Sequence, residues 1–472
     1  MKLFRELAVI LILMVGSLYL IFAPDFIDAQ ELPSVDNNKP AVLDPLERIF
    51  YSNEWKHETQ RTVKLGGYAF VILRTGVDSC VPIISQASEA KFYAIHPTTI
   101  DTPSSKGGDT GVFYEALIPR NDQSCLISRY VFAEWKPSAS GKQIFKVGEQ
   151  VITVNVDIEG EYKSPKRTLS IALTNSYLIQ GHCKRYCKRE GELAHKYANM
   201  LVGHHIRPIQ NWAFFPPVKN GLLDIDHGSE HGISFRQTTL KYAVSGQVGF
   251  PRMTHYSDRI TYLQALEATV QELGLVGKSW VYAVDEPEVT SGLIEELKLY
   301  KVFAPSVKVM VTTDFDPRLS EFVDVFAPVY NNLVSADKPS KPLYSGKEIW
   351  SYASCMGSCG PNRKSNLNVK RDPGPNTNLP DFLIDRPVKK LFEFFKKLED
   401  LSVDGALYYE ATEGYPLYRM GIDLITDQWN FGGNGDGLLA YPGRPGEFGL
   451  SEHQPLHSLR LKFIRHAIEN YW

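Results

Sequence analysis

Neither sign of charge is in surplus: 51 Lys and Arg stand against 54 Asp and Glu, a net of −3. That excludes the basic excess of a general nucleic-acid binder. No Gly-rich dinucleotide fingerprint sits near a strand end, so little recommends an open nucleotide-binding sheet. Cysteine is scarce, with six residues: Cys80, Cys125, Cys183, Cys187, Cys355 and Cys359. An even number favours disulfides in an oxidising compartment, with about 15 possible connectivities. Proximity suggests Cys183–Cys187 and Cys355–Cys359, and elimination then leaves Cys80–Cys125. A four-thiolate zinc site from the two C-x-x-x-C pairs is the alternative, although structural zinc sites use tighter spacing.

What is abundant points to a large core. Hydrophobic residues make up 43% of the 472 residues, with 24 Tyr, 24 Phe and 7 Trp. So many rings weakly favour a flat-faced ligand such as a sugar, because aromatics also simply fill cores. At the N-terminus, Lys2 and Arg5 precede the uncharged run "LAVILILMVGSLYLIFA". Residues 1–29 have the layout of a secretory signal, with cleavage expected after Ala29. The run is long for that role, so an uncleaved membrane anchor is the alternative. The expected location is periplasmic or extracellular.

Residues 30–61 read as a polar, Pro-containing linker. From 62 to 164 the period is two: in "VITVNVDI", Ile152, Val154, Val156 and Ile158 share one face. "YAFVIL", "KFYAIH", "VFYEALI" and "ISRYVFAEW" are similar runs between turn-rich segments, which predicts a β-sandwich. From 165 to 472 strands alternate with helices. Leu193, Tyr197, Met200 and Leu201 recur at helical spacing. So do Leu263, Leu266, Val270 and Leu273, then Leu293, Ile294, Leu297 and Tyr300. A later helix carries Val388, Leu391, Phe392, Phe395 and Leu398. "IQNWAFF", "SWVYAV", "VKVMVTT", "FVDVFAPVY", "EIWSYAS" and "GALYYEA" read as the intervening strands. A (β/α)₈ TIM barrel is the economical assembly, and an open doubly wound sheet the second choice.

Barrel enzymes carry their chemistry at the C-terminal ends of strands. Those ends hold Asn211 and Trp212, Asp285 and Glu286, Thr313 and Asp314, Tyr330 and Asn331, Trp350 and Tyr352, and Tyr409 and Glu410. "VYAVDEP" is the sharpest of them. Neighbours in a regular strand face opposite ways, so Asp285 and Glu286 converge only where the strand leaves the sheet. Pro287 enforces that departure by withholding its N–H. The bland reading is one structural acid and one solvated acid.

"VYAVDEP", "EIWSYASC", "FLIDRP", "DGALYY", "NGDGLLAYPG" and "HSLRLKFIRHAIENY" follow in series. Together they resemble the catalytic domain of glycoside hydrolase family 123 and its relatives over about residues 165–472. The resemblance implies a retaining β-N-acetylgalactosaminidase-like reaction without cofactor or metal. In it the substrate's own 2-acetamido oxygen attacks the anomeric carbon to give an oxazolinium, so no enzyme nucleophile is needed. Asp285 would hold the acetamido N–H, and Glu286 would serve as general acid and then base. An anionic neighbour and apolar surroundings are expected to raise the Glu286 pKa. Trp350, Tyr352, Tyr330, Tyr409 and Trp212 are candidate sugar-binding rings. Relatives often carry Trp at the position of Tyr409, which bears on the choice of sugar. The implied partner is a glycan containing N-acetylhexosamine, with no nucleic acid and an optional membrane attachment.

Other patterns are weaker. The loop "SCMGSCGPNRKSNLNVKRDPG" carries Arg363, Lys364, Lys370 and Arg371, which suit either solvent or an anionic glycan. His227, Glu230 and His231 match a metallopeptidase H-x-x-E-H, yet Gly228 and Gly232 interrupt the helix that motif needs. "NFGGNGDGLLAYPG" resembles a calcium-binding glycine repeat but occurs once, and reads as a turn. "SLRLKFIRHAIENYW" predicts a closing helix, with Arg460 and Arg465 as scaffold ion-pair partners. A non-catalytic carbohydrate-binding protein on the same fold is the alternative from another class. The intact Asp285–Glu286 pair argues against it, since a binder has no use for a proton donor.

Overall fold

A computed structural model describes residues 41–43, 58–75, 83–87, 89–120, 130–163, 167–183, 190–210, 215–227, 234–241, 243, 247–334, 346–354, 379–430 and 433–472. The N-terminal segment expected to direct export and most of the expected 30–61 linker lie outside these residues.

The alternating runs form nine strands: β1 (Ala41–Leu43), β2 (Glu58–Leu65), β3 (Ala69–Arg74), β4 (Ile83–Ser85), β5 (Lys91–Ile100), β6 (Gly111–Pro119), β7 (Tyr130–Trp135), β8 (Gly141–Val147) and β9 (Gln150–Glu161). They divide between two sheets. A four-stranded sheet runs β2-β9-β8-β4, and its β2–β9 pair is parallel. The other, the first sheet in chain order, starts β1-β3-β7-β5-β6, all antiparallel. The period-two faces explain the stacking. Ile152, Val154 and Val156 of β9 share a core with Val71 and Leu73 of β3 and Trp135 of β7.

The barrel strands follow: β10 (Thr168–Leu173), β11 (Ile206–Gln210), then the hairpin β12 (Val218–Lys219) and β13 (Leu222–Leu223), then β14 (Val248–Phe250), β15 (Ser279–Val284), β16 (Lys308–Val311), β17 (Val325–Phe326), β18 (Glu348–Tyr352) and β19 (Gly405–Tyr408). Eight of them make one parallel sheet in the order β11-β10-β19-β18-β17-β16-β15-β14. Chain order therefore runs round the sheet, and the two edges are the second and third strands. This is a nearly closed eight-stranded barrel.

Each predicted apolar stripe becomes a helix. The α-helices of the described residues are α1 (Asn175–His182), α2 (Glu190–Val202), α3 (Arg259–Glu272), α4 (Ser291–Phe303), α5 (Tyr330–Val334), α6 (Lys389–Asp400) and α7 (Leu459–Tyr471). Of these, α1 and α5 arise without a predicted stripe, α5 starting on the last residue of the expected strand "FVDVFAPVY". Asp258 caps α3 by accepting from Thr261 N at 3.0 Å, and Gly274 ends it at a φ of +64°. The repeat is not uniform. Only a 3₁₀ turn at Pro317–Leu319 joins β16 to β17, and β17 keeps two residues of the predicted "FVDVFAPVY".

The chain does not hold its two layers apart. After the hairpin β20 (Trp429–Asn430) and β21 (Gly433–Asn434), strands β22 (Ala440–Gly443) and β23 (Gln454–Ser458) extend the first sheet beyond β6. Helix α7 then lies buried along most of its length, its apolar side chains in one core with Phe70 and Phe132 of that sheet and Phe392 of α6. Arg460 pairs with Glu115 of β6 at 2.7 Å, while Lys462 (2.8 Å) and Arg465 both reach Glu134 of β7. The expected scaffold role of Arg460 and Arg465 is what the structure shows.

Candidate active site

Inside the barrel the strands alternate as the pleat requires. Arg207 of β11, Trp280 of β15, Met310 of β16, Val325 of β17 and Trp350 of β18 fill the middle. The Arg207 guanidinium lies 4.8 Å from the Trp280 ring centroid and 5.8 Å from that of Trp350, and donates to Ser170 Oγ at 2.6 and 3.0 Å. Burial pulls the Arg207 pKa down to about 9. This layer is the floor on which the strand ends stand.

Two residues above Trp280, the Tyr282 hydroxyl donates to Asp285 Oδ1 at 2.5 Å. Thr312, just past β16, donates to the same oxygen at 3.0 Å. Thr312 Oγ1 also accepts the backbone N–H of Glu286 at 2.8 Å. Across the barrel mouth, Tyr352 at the end of β18 donates its hydroxyl to Glu286 Oε1. Two adjacent acids, which a regular strand would point apart, are thus met by hydroxyls from β15, β16 and β18. Burial, reinforced by the two carboxylates, raises both phenols far above their ordinary range, so they remain donors.

The backbone departs from the strand as Pro287 predicts. The β15–β16 register slips between Tyr282 and Val284, and Glu286 sits at a φ of +40°. A left-handed non-glycine residue costs about 1–3 kcal/mol and marks a place where surrounding structure over-determines the backbone. The expected apolar surroundings are absent: Asp285 and Glu286 are both exposed and meet hydroxyl groups. Asp314, three residues past β16, accepts from Asn332 Nδ2 at 3.2 Å.

The candidate rings separate. Tyr352 belongs to the carboxyl pair. Trp350 faces the same way but lies lower; it is 2% exposed and part of the floor, with Gly405 leaving room for its indole. Tyr330 starts α5 and packs into the core, 5.2 Å from the Phe394 ring. Trp350 and Tyr330 are thus packing residues, because each ring is enclosed before it could meet a sugar. Tyr409 lies past the end of β19 with its ring 5.3 Å from Tyr408, its hydroxyl in space that a side chain at Gly437 would occupy. Trp212 lies outside the described residues, as do Asn211, the basic loop, Glu230, His231 and all cysteines but Cys183. His227 stands outside any helix, and Cys183 is not a free thiol.

At the end of β19, opposite β15 in the barrel, Glu410 is buried and accepts from Thr174 Oγ1 (2.6 Å), Ala411 N, Thr412 N and Thr412 Oγ1. Burial lifts its pKa to about 7, and does the same to Glu413. Strand-end reading reached Glu410 but missed Tyr282 and Thr312. Tyr282 was legible as an inward residue three positions before Asp285; Thr312 lies one position before Thr313, which the reading did select.

The class defined by this geometry is a nearly closed parallel barrel whose mouth holds two adjacent, hydroxyl-anchored carboxyls. The particular likeness is to a family 123 glycoside hydrolase from Clostridium perfringens, described as acting in glycolipid glycan hydrolysis. That structure aligns with 92% of this chain and 87% of its own at a TM-score of 0.61 and 9% identity. The fold is therefore that of the family 123 enzyme. Weaker likenesses carry no argument: a β-D-glucuronidase of Dictyoglomus thermophilum (TM-score 0.32, 12% identity, 86% of this chain and 67% of that one) and an endo-β-1,4-mannanase of Thermotoga petrophila (0.30, 11%, 66% and 77%). No family model and no curated protein matches the sequence.

Proposed function

We propose that the chain is a retaining glycoside hydrolase acting on β-linked 2-acetamido sugars, GalNAc in the first instance, by substrate-assisted catalysis. The observation that carries this is the arrangement of Asp285 and Glu286: adjacent in sequence, joined at one strand end, and each engaged through one oxygen by hydroxyl donors. Oδ2 of Asp285 and Oε2 of Glu286 take no hydrogen bond from the described residues. Asp285, an acceptor, holds the acetamido N–H and steadies the positive charge that develops on it as the acetamido oxygen attacks. Glu286 delivers its proton to the departing glycosidic oxygen, and then takes a proton from the water that opens the oxazolinium.

The same reading takes residues 62–164 as the core of a β-sandwich domain ahead of the barrel. It takes the protein as exported, with the N-terminal segment either removed or kept as an anchor, and its cysteines as disulfides. Hydrolysis of aryl β-GalNAc and β-GlcNAc, with inhibition by a thiazoline analogue of the oxazolinium, tests the reading. Equal rates on glycosides lacking the 2-acetamido group would refute it.

A further inference from the structure

We propose that Thr312 is the positioning residue that holds Glu286 in its left-handed conformation and so turns two consecutive acids toward one substrate. The inference rests on the glycosidase reading for its kinetic consequence and on the backbone geometry for its structural one.

Consecutive strand residues project to opposite faces, so the acids need a backbone turn between them. The turn is at Glu286, where φ is +40°, a region that glutamate rarely occupies. Something must over-determine it. Pro287 ends the strand but does not select this conformation.

The Thr312 hydroxyl has one hydrogen and two lone pairs. It accepts the Glu286 N–H at 2.8 Å and gives its own hydrogen to Asp285 Oδ1 at 3.0 Å. One atom therefore fixes the backbone of one acid and the carboxyl of the other. Thr312 itself is rigid: it is 6% exposed, β-branched, and its N–H reaches Val284 O at 3.5 Å past the register slip. The Tyr282 hydroxyl packs against Oγ1 at 3.0 Å, and its own hydrogen is already committed to Asp285. No other hydroxyl among the described residues bonds to parts of both acids.

Thr312→Val keeps the shape and removes the hydroxyl; Thr312→Ser keeps the hydroxyl. In the full chain, the valine variant should lose roughly tenfold to a hundredfold in kcat on a 2-acetamido glycoside, as expected when a charged group loses a hydrogen bond. KM should stay close to wild type, and the serine variant should recover the rate. The loss should be greater for an alkyl than for a dinitrophenyl leaving group, because the latter scarcely needs the acid. A crystal structure of the valine variant should show residue 286 out of the left-handed region. Thr312→Ala replaces the valine variant if the latter fails to fold. Wild-type kcat in the deletion variant, or Glu286 still at a left-handed φ within it, overturns the proposal. If the wild-type protein cleaves no 2-acetamido glycoside, the functional reading fails while the crystallographic comparison still decides the positioning role.

Discussion

Tyr352, on the seventh barrel strand, donates its phenolic hydrogen to Glu286 Oε1, on the loop leaving the fourth. The contact spans the barrel mouth and depends on the curvature of the sheet: β18 and β15 are separated by β17 and β16. A carboxyl on a loop is thereby referenced to a second, rigid strand. Replacing Tyr352 with Phe should cost roughly tenfold to a hundredfold in kcat, the scale of one hydrogen bond to a charged group. Adding Tyr352→Phe to Glu286→Gln should cost little more than Glu286→Gln alone, because both act through one carboxyl. Initial rates of the three variants measure the coupling.

Glu286→Gln should lower turnover of unactivated 2-acetamido glycosides by roughly 10²–10⁴-fold, the usual worth of positioned acid–base catalysis. A dinitrophenyl leaving group should recover much of the first step. Asp285→Asn should show no such recovery, because the partner proposed for it is the substrate's own nucleophile. Parallel leaving-group series on the two variants check this, and identical dependence would merge the two roles.

How much of this was legible follows from where the forces are local. The helices from Leu263, Leu297 and Phe395 were readable because burial imposes a 3.6-residue period. The backbone departure at Asp285 and Glu286 was readable because a proline follows an apolar strand. Depth inside the barrel was not: Trp350 and Tyr352 share a parity, and only the neighbouring Trp280 and Arg207 decide which ring is floor. Neither was the recruitment of β22 and β23 into the first sheet, nor the parallel β2–β9 pair, since long-range pairing leaves no local period. The "LIDRP" and "NGDGLL" motifs prove largely structural. Asp385 accepts from Ser104 N and Oγ at 2.5 and 2.7 Å, and Arg460 donates to Gly435 O at 2.7 Å.

Gly405 should tolerate no side chain. A Cβ there would meet the Trp350 indole at 2.4 Å, in a floor already filled by Trp280 and Arg207. Gly405→Ala should therefore destabilise the fold by about 1–3 kcal/mol through overpacking. Pairing it with Trp350→Phe should recover part of the loss. Urea unfolding of the single and double variants gives the answer, and an unchanged midpoint for Gly405→Ala would mean that the indole can move aside.

Arg460→Met should cost about 3–5 kcal/mol, because it strands Glu115 without its cation in the buried face between α7 and the first sheet. Arg460→Met with Glu115→Leu should be more stable than Arg460→Met alone. The comparison separates the cost of an unpaired carboxylate from that of lost packing. Equal stabilities would assign the whole loss to packing and to the carbonyl contacts at Gly435 and Leu438.

Acid should loosen that same face before it touches the barrel floor. His466 packs against Phe70 and Phe392, with Arg61 and Arg465 nearby, and its pKa falls to about 3 through burial first and those cations second. His204 and His457, 3.4 Å apart beside Lys462 and Arg465, are pushed well below 6.5 for the same reasons. Each imidazole is neutral in the folded chain and protonates near pH 6.5 when unfolded, so the unfolded state binds more protons. Stability then rises with pH, and what these residues contribute is intact above about 6.5 and lost progressively as pH falls toward 3. Glu410 works in the opposite sense. Its pKa of about 7 against an ordinary 4.5 removes stability as pH rises between those values. His466→Gln should therefore flatten the acid side of the stability profile, and Glu410→Gln the side approaching neutrality. Unfolding midpoints between pH 4 and 8 measure both slopes, and a His466→Gln profile parallel to wild type would show that this imidazole is not what acid attacks.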